Sequence, residues 1–353
     1  MTYFDERNKT MLDRLQVVLE DLPRFCIEFF IGVQNRTSPL TRLNYAYDLR
    51  IFFVFLAERI FKKNLSGISL SDLQSLTAFD IELFLDHLNN YTLDGKSSHC
   101  GEKAKERKLA TIRSFLKYYY NKDKLTSNVA TKVEAPKPHT KNIVRLDVHE
   151  VSKLLNTIEH GSTSLTKMQA AYHTITRLRD LALVTLFLGT GIRISELIGI
   201  DNDDMDFENL SFVVTRKGGN KTILYFSEEV CKALQDYVDW KKQQMQDGTN
   251  LGLCLQQNKA FFVSLQGNRI SQKAVQNLVA KFCKLASPLK KISPHKLRST
   301  FGTHLYQTTG DIYVVAEVLG HKDVNTTKKH YAQSSEQIKR NASTALVLRE
   351  PKD

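Results

Sequence analysis

Cysteine is sparse and unpaired in this sequence: Cys26, Cys100, Cys231, Cys254 and Cys283 lie far apart, and no Cys-x-x-Cys occurs. An odd, scattered set argues against a disulfide framework and against a structural zinc site, and fits reduced thiols in a cytoplasmic protein. No stretch approaches the ~20 apolar residues that a membrane span requires. The opening MTYFDERNKTMLDRL is charged from Asp5 onward, where a signal peptide has its apolar core. Acid is short as well. Against 50 Lys and Arg there are 38 Asp and Glu, for a formal charge of +12, and that excess favours nucleic acid as a partner over an anionic membrane surface. GTGIRIS lacks the Gly-Lys-Ser/Thr ending of a P-loop, and no carboxylate cage for a metal is evident.

What is present is helix. A chain of 353 residues exceeds the usual single domain, so two domains are expected. A first helix is expected over roughly 7–32. TRLNYAYDLRIFFVFLAERIF then carries Leu43, Tyr47, Ile51, Phe55 and Leu56 at helical spacing, and Thr77 reads as the N-cap of a segment starting at Ala78. EKAKERKLATIRSFLKYYYNK has an apolar face of Leu109, Ile112, Phe115, Leu116 and Tyr119, flanked by Lys103, Lys105, Arg107, Lys108 and Arg113 as candidate phosphate contacts. Pro136 and Pro138 interrupt the pattern among lysines, as an extended basic linker does. Beyond it LDVHEVSKLLNTIE reads as a capped helix. One β signal follows, LSFVVTRKGGNKTILYF, two β-branched and aromatic runs joined by Gly-Gly-Asn. The fold class expected is mainly α with a small antiparallel β-sheet.

Four polar clusters in the second half stand where a simple core has no use for them. Arg193 sits in GTGIRISEL within a strongly apolar stretch, and a guanidinium there needs an anion, either Glu196 or one brought from outside. Lys217 lies at the hairpin tip in RKGGNK. His295 and Arg298 share a helical face in PHKLRSTFGTHL, and LGHKDVNTTKKHYA sets His321 after a glycine stop with Tyr331 ten residues on. Each alone reads as structural. Together they are the parts for phosphoryl transfer without metal. Tyr306 and Tyr313 precede His321 among apolar neighbours and read as core, and His330 is left without a role.

The order arginine, hairpin lysine, His-x-x-Arg, Gly-His and tyrosine resembles that of the tyrosine site-specific recombinases, over residues ~146–333 closely and over the first helices more loosely. Two departures are local: Ser299 stands where the family often has histidine or arginine, and the Gly-His to tyrosine interval is ten residues where nine is common. The resemblance implies a two-domain, C-shaped DNA clamp with the tyrosine recombinase catalytic fold. Its parts are a helical core-binding (SAM-like) DNA-binding domain at 1–135, a linker at 136–145, a catalytic domain at 146–333, and a tail at 334–353 that docks as a helix on a neighbouring protomer.

It further implies Tyr331 as nucleophile, His295 as base, Arg193, Arg298 and His321 as donors to the phosphate, Lys217 as acid to the leaving 5′-oxygen, and Glu196 in support. No metal, ATP or other cofactor enters. Lys290, Lys291 and Lys296, in the acid-free stretch AKFCKLASPLKKISPHKLR, are further candidate DNA contacts. The expected partner is double-stranded DNA, held by a homotetramer on two sites that is weakly associated or monomeric without DNA. VTRKGGNK and the polar segment before Arg193 resemble the single-recombinase Xer type, which resolves chromosome dimers. An integrase or invertase of a mobile element shares these features, and a type IB topoisomerase or a non-catalytic DNA-binding protein are remoter alternatives.

Overall fold

The computed structural model of the protein describes residues 2–137, 144–162, 166–216, 218–247, 250–321 and 323–331, without the side chains of 326 and 329–331. The chain divides into two compact units, Met1–Lys141 and Asn142–Asp353. None of the described helices is long and apolar enough to cross a membrane.

The first unit holds α1 (Tyr3–Glu20), α2 (Cys26–Gly32), α3 (Pro39–Phe55), α4 (Leu70–Gln74), α5 (Ala78–His87), β1 (Tyr91–Leu93), β2 (Lys96–Ser98) and α6 (Glu102–Tyr120). The single helix expected over 7–32 is two, because Pro23 lies between α1 and α2 and cannot continue a helical hydrogen-bond ladder. Thr77 does cap α5, its hydroxyl accepting from the Asp80 N–H. All five apolar residues expected on α6 are buried, in a core of Phe29, Phe52, Phe53, Phe84 and Phe115. Tyr47 departs from its expected stripe and is 45% exposed. α3 is apolar around most of its circumference, so several stripes can be drawn, and the one that packs centres on Ala46, Leu49, Phe52 and Phe53. The β1–β2 hairpin was not expected, although Asp94-Gly95 at its tip, both at positive φ, is a strong hairpin dipeptide.

The second unit runs α7 (Val148–His160), α8 (Lys167–Thr190), α9 (Ile194–Ile198), β3 (Met205–Asp206), β4 (Ser211–Thr215), β5 (Lys221–Tyr225), α10 (Glu228–Gln246), α11 (Asn250–Gln257), α12 (Gln272–Ala286), α13 (Pro294–Thr309), α14 (Ile312–Leu319) and α15 (Val324–Tyr331). Asp147 and Glu150 form a capping box at the start of α7. The hairpin pairs as its sequence implies, Val213 opposite Ile223, and β3 adds a short third antiparallel strand. α8 is the axis of the unit, packing on α7, α10 and α13 and burying Ala182, Leu183, Leu186 and Phe187. Its end is therefore fixed from several sides, and the candidate residues begin there. Tyr306 is half-buried against Val315 and Leu319, but Tyr313 is 69% exposed. It lies in the first turn of an eight-residue helix whose inner face is supplied by Val315, Ala316 and Leu319.

Candidate active site

α8 terminates at Gly191 in the left-handed conformation, φ +62°, where a Cβ would lie 2.4 Å from Phe301 Cδ1 and 2.8 Å from Leu319 Cδ2. Glycine is thus required both for the turn and for the close seating of α13 and α14. Two residues later Arg193 opens α9. Its N–H donates to Glu196 Oε2 at 3.0 Å and its Nη1 to Glu196 Oε1 at 2.8 Å. The Glu196 side chain is 4% exposed and that of Arg193 is 35% exposed, so the carboxylate anchors from inside while the guanidinium still reaches the surface.

Arg298, on the second turn of α13, is buried, and its guanidinium donates to the carbonyl oxygens of Gly191 and Leu319. Arg193 Nη2 donates to the Gly320 carbonyl at 3.0 Å, and Arg216 Nη2 to that of Val318 at 3.3 Å. Three guanidinium groups thus meet three consecutive carbonyls at the C-terminal end of α14. These carbonyls lack intrahelical partners and carry the negative end of the helix dipole. Carbonyl oxygens orient a guanidinium without neutralising it, so the cluster remains strongly cationic. Burial lowers the pKa of Arg216, an effect that nearby Glu196 opposes and Arg193 reinforces. Its Nε is buried without a hydrogen-bond partner among the described residues.

Gly320 ends α14 at φ +60°, and the His321 N–H returns to the Ala316 carbonyl at 2.9 Å, closing the turn. His321 Nδ1 lies 2.8 Å from Oγ1 of Thr327, a wholly buried residue of α15. His295 follows Pro294 at the start of α13, one turn before Arg298, and is exposed. Lys217 lies outside the described residues. Its hairpin is closed by Arg216, whose N–H donates to Asn220 O at 2.8 Å and whose carbonyl accepts from Gly219 N at 3.0 Å. Tyr331 is the last residue of α15, and its side chain, like that of His330, lies outside the description, as does the tail 334–353. Arg193, Arg298 and His321 are thus gathered on one turn, whereas sequence reasoning missed Arg216 and Thr327. Both flank glycine- or lysine-rich motifs that gave them no separate signal. Among the described residues no three His, Cys, Asp or Glu side chains form a metal-binding group.

The candidate DNA contacts divide by what already holds them. Lys108 is a correction. It is 4% exposed, with Nζ 2.8 Å from the buried Asp48, which also takes Arg107 and the Thr111 hydroxyl. Its charge is neutralised inside the unit. Arg113 donates to the carbonyls of Ala130 and Val133, Lys105 to Asn89 Oδ1, and Lys290 to Glu150 Oε2 and the Arg145 carbonyl. Lys103 and Lys291 are exposed, and Lys296 is half-buried. Burial works to raise the Glu150 pKa, but Lys290, the Asp147 N–H and the Ser287 hydroxyl together hold it down at about 2.

Residues 145–337 match the model of the phage integrase family. This chain belongs to that family. The tyrosine recombinase XerC of Caldanaerobacter subterraneus subsp. tengcongensis is 33% identical over 314 residues, 86% of this chain and 80% of the relative. XerD of Bifidobacterium longum is 28% identical over 308 residues, 87% of this chain and 91% of its own. Among solved structures, XerH site-specific recombinase bound to palindromic difH substrate, in a post-cleavage complex, superposes with a TM-score of 0.64 at 18% identity. The match covers 87% of this chain and 80% of that one. The fold of this recombinase is therefore the mainly helical tyrosine recombinase fold. Its family's activity is the cleavage and religation of DNA.

Proposed function

We propose that this recombinase exchanges DNA strands at a specific site through a 3′-phosphotyrosine intermediate, with Tyr331 as nucleophile. The observation that carries the assignment is the donation of Arg193 and Arg298 to adjacent carbonyls, Gly320 and Leu319, on the turn that bears His321. A pentavalent phosphorane-like transition state concentrates charge on the non-bridging oxygens, and preorganised guanidinium donors are the strongest means of stabilising it. Glu196 keeps Arg193 in place before DNA arrives.

In the forward step the Tyr331 oxygen attacks phosphorus while the phenolic proton passes to His295, the P–O5′ bond breaks, and Lys217 protonates the departing 5′-oxygen. A phenol has a reference pKa of about 10, so a base is needed near neutral pH. The reverse step, with the 5′-hydroxyl of a partner strand attacking the phosphotyrosine, joins the new strand and yields a Holliday junction. Phosphodiester energy is retained in the protein–DNA bond, so the scheme calls for neither ATP nor a metal.

Residues 1–135 form the core-binding domain in this reading and 146–333 the catalytic domain, joined by the basic linker so that they close around duplex DNA. Four protomers act on two sites, with the tail 334–353 docking on a neighbour, and the protein works in the cytoplasm. Likeness to XerC and XerD over most of the chain favours chromosome dimer resolution over excision of a mobile element. The decisive experiment is covalent capture from a pool of nicked duplexes with a randomised core. Adducts on one recovered sequence, abolished by Tyr331→Phe, support the proposal. Adducts on every sequence indicate a type IB topoisomerase, and none indicates a binding protein. A recovered sequence that maps to a single chromosomal locus supports dimer resolution, and one at the ends of a mobile element assigns the protein to that element.

A further inference from the structure

Thr327 is polar and wholly buried, and its Oγ1 lies 2.8 Å from Nδ1 of His321. We propose that Thr327 is a positioning residue that keeps the proton of the His321 imidazole on Nε2, the form in which the ring donates to a phosphate. The inference rests on the reading of His321 as a phosphate donor.

Phosphate oxygens only accept, so the ring serves them only through an N–H. A neutral imidazole has one N–H and one bare nitrogen, and which is which depends on the partner at the other position. A hydroxyl donating into Nδ1 leaves the proton on Nε2. In the cationic ring Nδ1–H donates to Oγ1 and Nε2 again keeps its proton. A hydroxyl can equally accept from Nδ1–H of a neutral ring and leave Nε2 bare, so the role proposed for Thr327 is that of donor toward the neutral ring. With that role both charge states present Nε2–H.

The bond also ties α15 to the turn that follows α14. Thr327 is four residues before Tyr331 on α15, about one helical turn away. His321 belongs to the turn held through Gly320 by Arg193. The Thr327–His321 contact thus sets the helix carrying the proposed nucleophile in register with the guanidinium cluster.

Two measurements test this. In protein labelled with 15N-histidine, two-bond proton–nitrogen correlation spectra report the tautomer of His321 without DNA. The expectation is protonated Nε2 in the wild type and in Thr327→Ser, and a mixture of tautomers in Thr327→Val. In covalent capture on the recovered nicked duplex, Thr327→Val should form adduct about tenfold more slowly, the effect of one hydrogen bond of ~1.4 kcal/mol. Thr327→Ser should restore most of that rate, and Thr327→Val should add no further loss to His321→Ala. A wild-type ring protonated on Nδ1 alone overturns the inference, as does an equal loss from Thr327→Val with and without His321. His321→Ala at the full wild-type rate overturns the parent reading of His321, and with it this one.

Discussion

A Cβ placed on Gly320 would stand 1.3 Å from Nη1 of Arg216, so the hairpin β4–β5 and the turn after α14 are packed guanidinium against bare backbone. Gly320→Ala meets two obstacles: a positive φ, at about 1 kcal/mol for a residue with a side chain, and displacement of Arg216 from the Val318 carbonyl. Thermal unfolding should show a loss of about 1–2 kcal/mol, and adduct formation should fall at least tenfold. Adding Arg216→Ala removes the overlap but not the backbone strain. The double variant should therefore recover part of the stability and none of the activity. No recovery of stability would deny the Gly320–Arg216 packing any role, and full recovery of activity would deny Arg216 a part in the chemistry.

Glu196 gives a cleaner separation of stability from chemistry. Its carboxylate holds both the backbone N–H and the guanidinium of Arg193. Glu196→Gln retains a shape that can accept from one of them, whereas Glu196→Ala leaves a half-buried N–H without its acceptor, at about 1 kcal/mol. DNA affinity should change little in either variant, because Arg193 keeps its charge. The rate of covalent capture should fall in Glu196→Ala by roughly 10–100-fold as the clamp loses its orientation. Equal losses in affinity and rate would assign Glu196 to folding alone.

These relationships mark the limit of what the residue string discloses. The α6 stripe, the caps at Thr77 and Asp147 and the Gly-Gly-Asn hairpin were legible because each is decided within one or two helical turns. The break at Pro23 and the Asp94-Gly95 hairpin carried equally local signals that a search for long helices passed over. Arg193, Arg298 and His321 were legible as a pattern, but their meeting place was not. It is made by carbonyls of residues 318–320, and a carbonyl has no letter. Arg216 and Thr327 acquire significance only from partners across that turn. Lys103 and Lys108 look alike in a basic run, and only Asp48, 60 residues from Lys108, separates them.

That separation is measurable by salt. Lys103→Met should weaken DNA binding uniformly across sequences and reduce the slope of log affinity against log salt by about 1, with stability unchanged. Lys108→Met should do the reverse. It leaves Asp48 buried with fewer partners, costing about 2–3 kcal/mol in the first unit's unfolding, and it removes no ion-release term. A salt slope altered by Lys108→Met in protein that remains fully folded would return Lys108 to the DNA face.

Acid titration tests the anchoring of the second unit at Glu150, and the sign follows from its depressed pKa. Above the ordinary carboxylate value of 4.5 the side chain is ionised in folded and unfolded chains alike, and its bonds to Lys290, Ser287 and the Asp147 N–H contribute in full. As pH falls from there toward about 2 the unfolded state takes up the proton first, so the contribution drains away across that window. The loss should be on the order of 1 kcal/mol, reduced from the full linkage value because solvent screens the pair. Glu150→Gln should be less stable than the wild type at pH 7 and should lack this part of the acid dependence, so the two unfolding curves converge near pH 2. It also frees the Lys290 ammonium from its carboxylate. If Lys290 reaches DNA once released, the variant gains affinity at low salt. Parallel curves for the two proteins over the acid range would show that Lys290 and Glu150 do not anchor the start of α7.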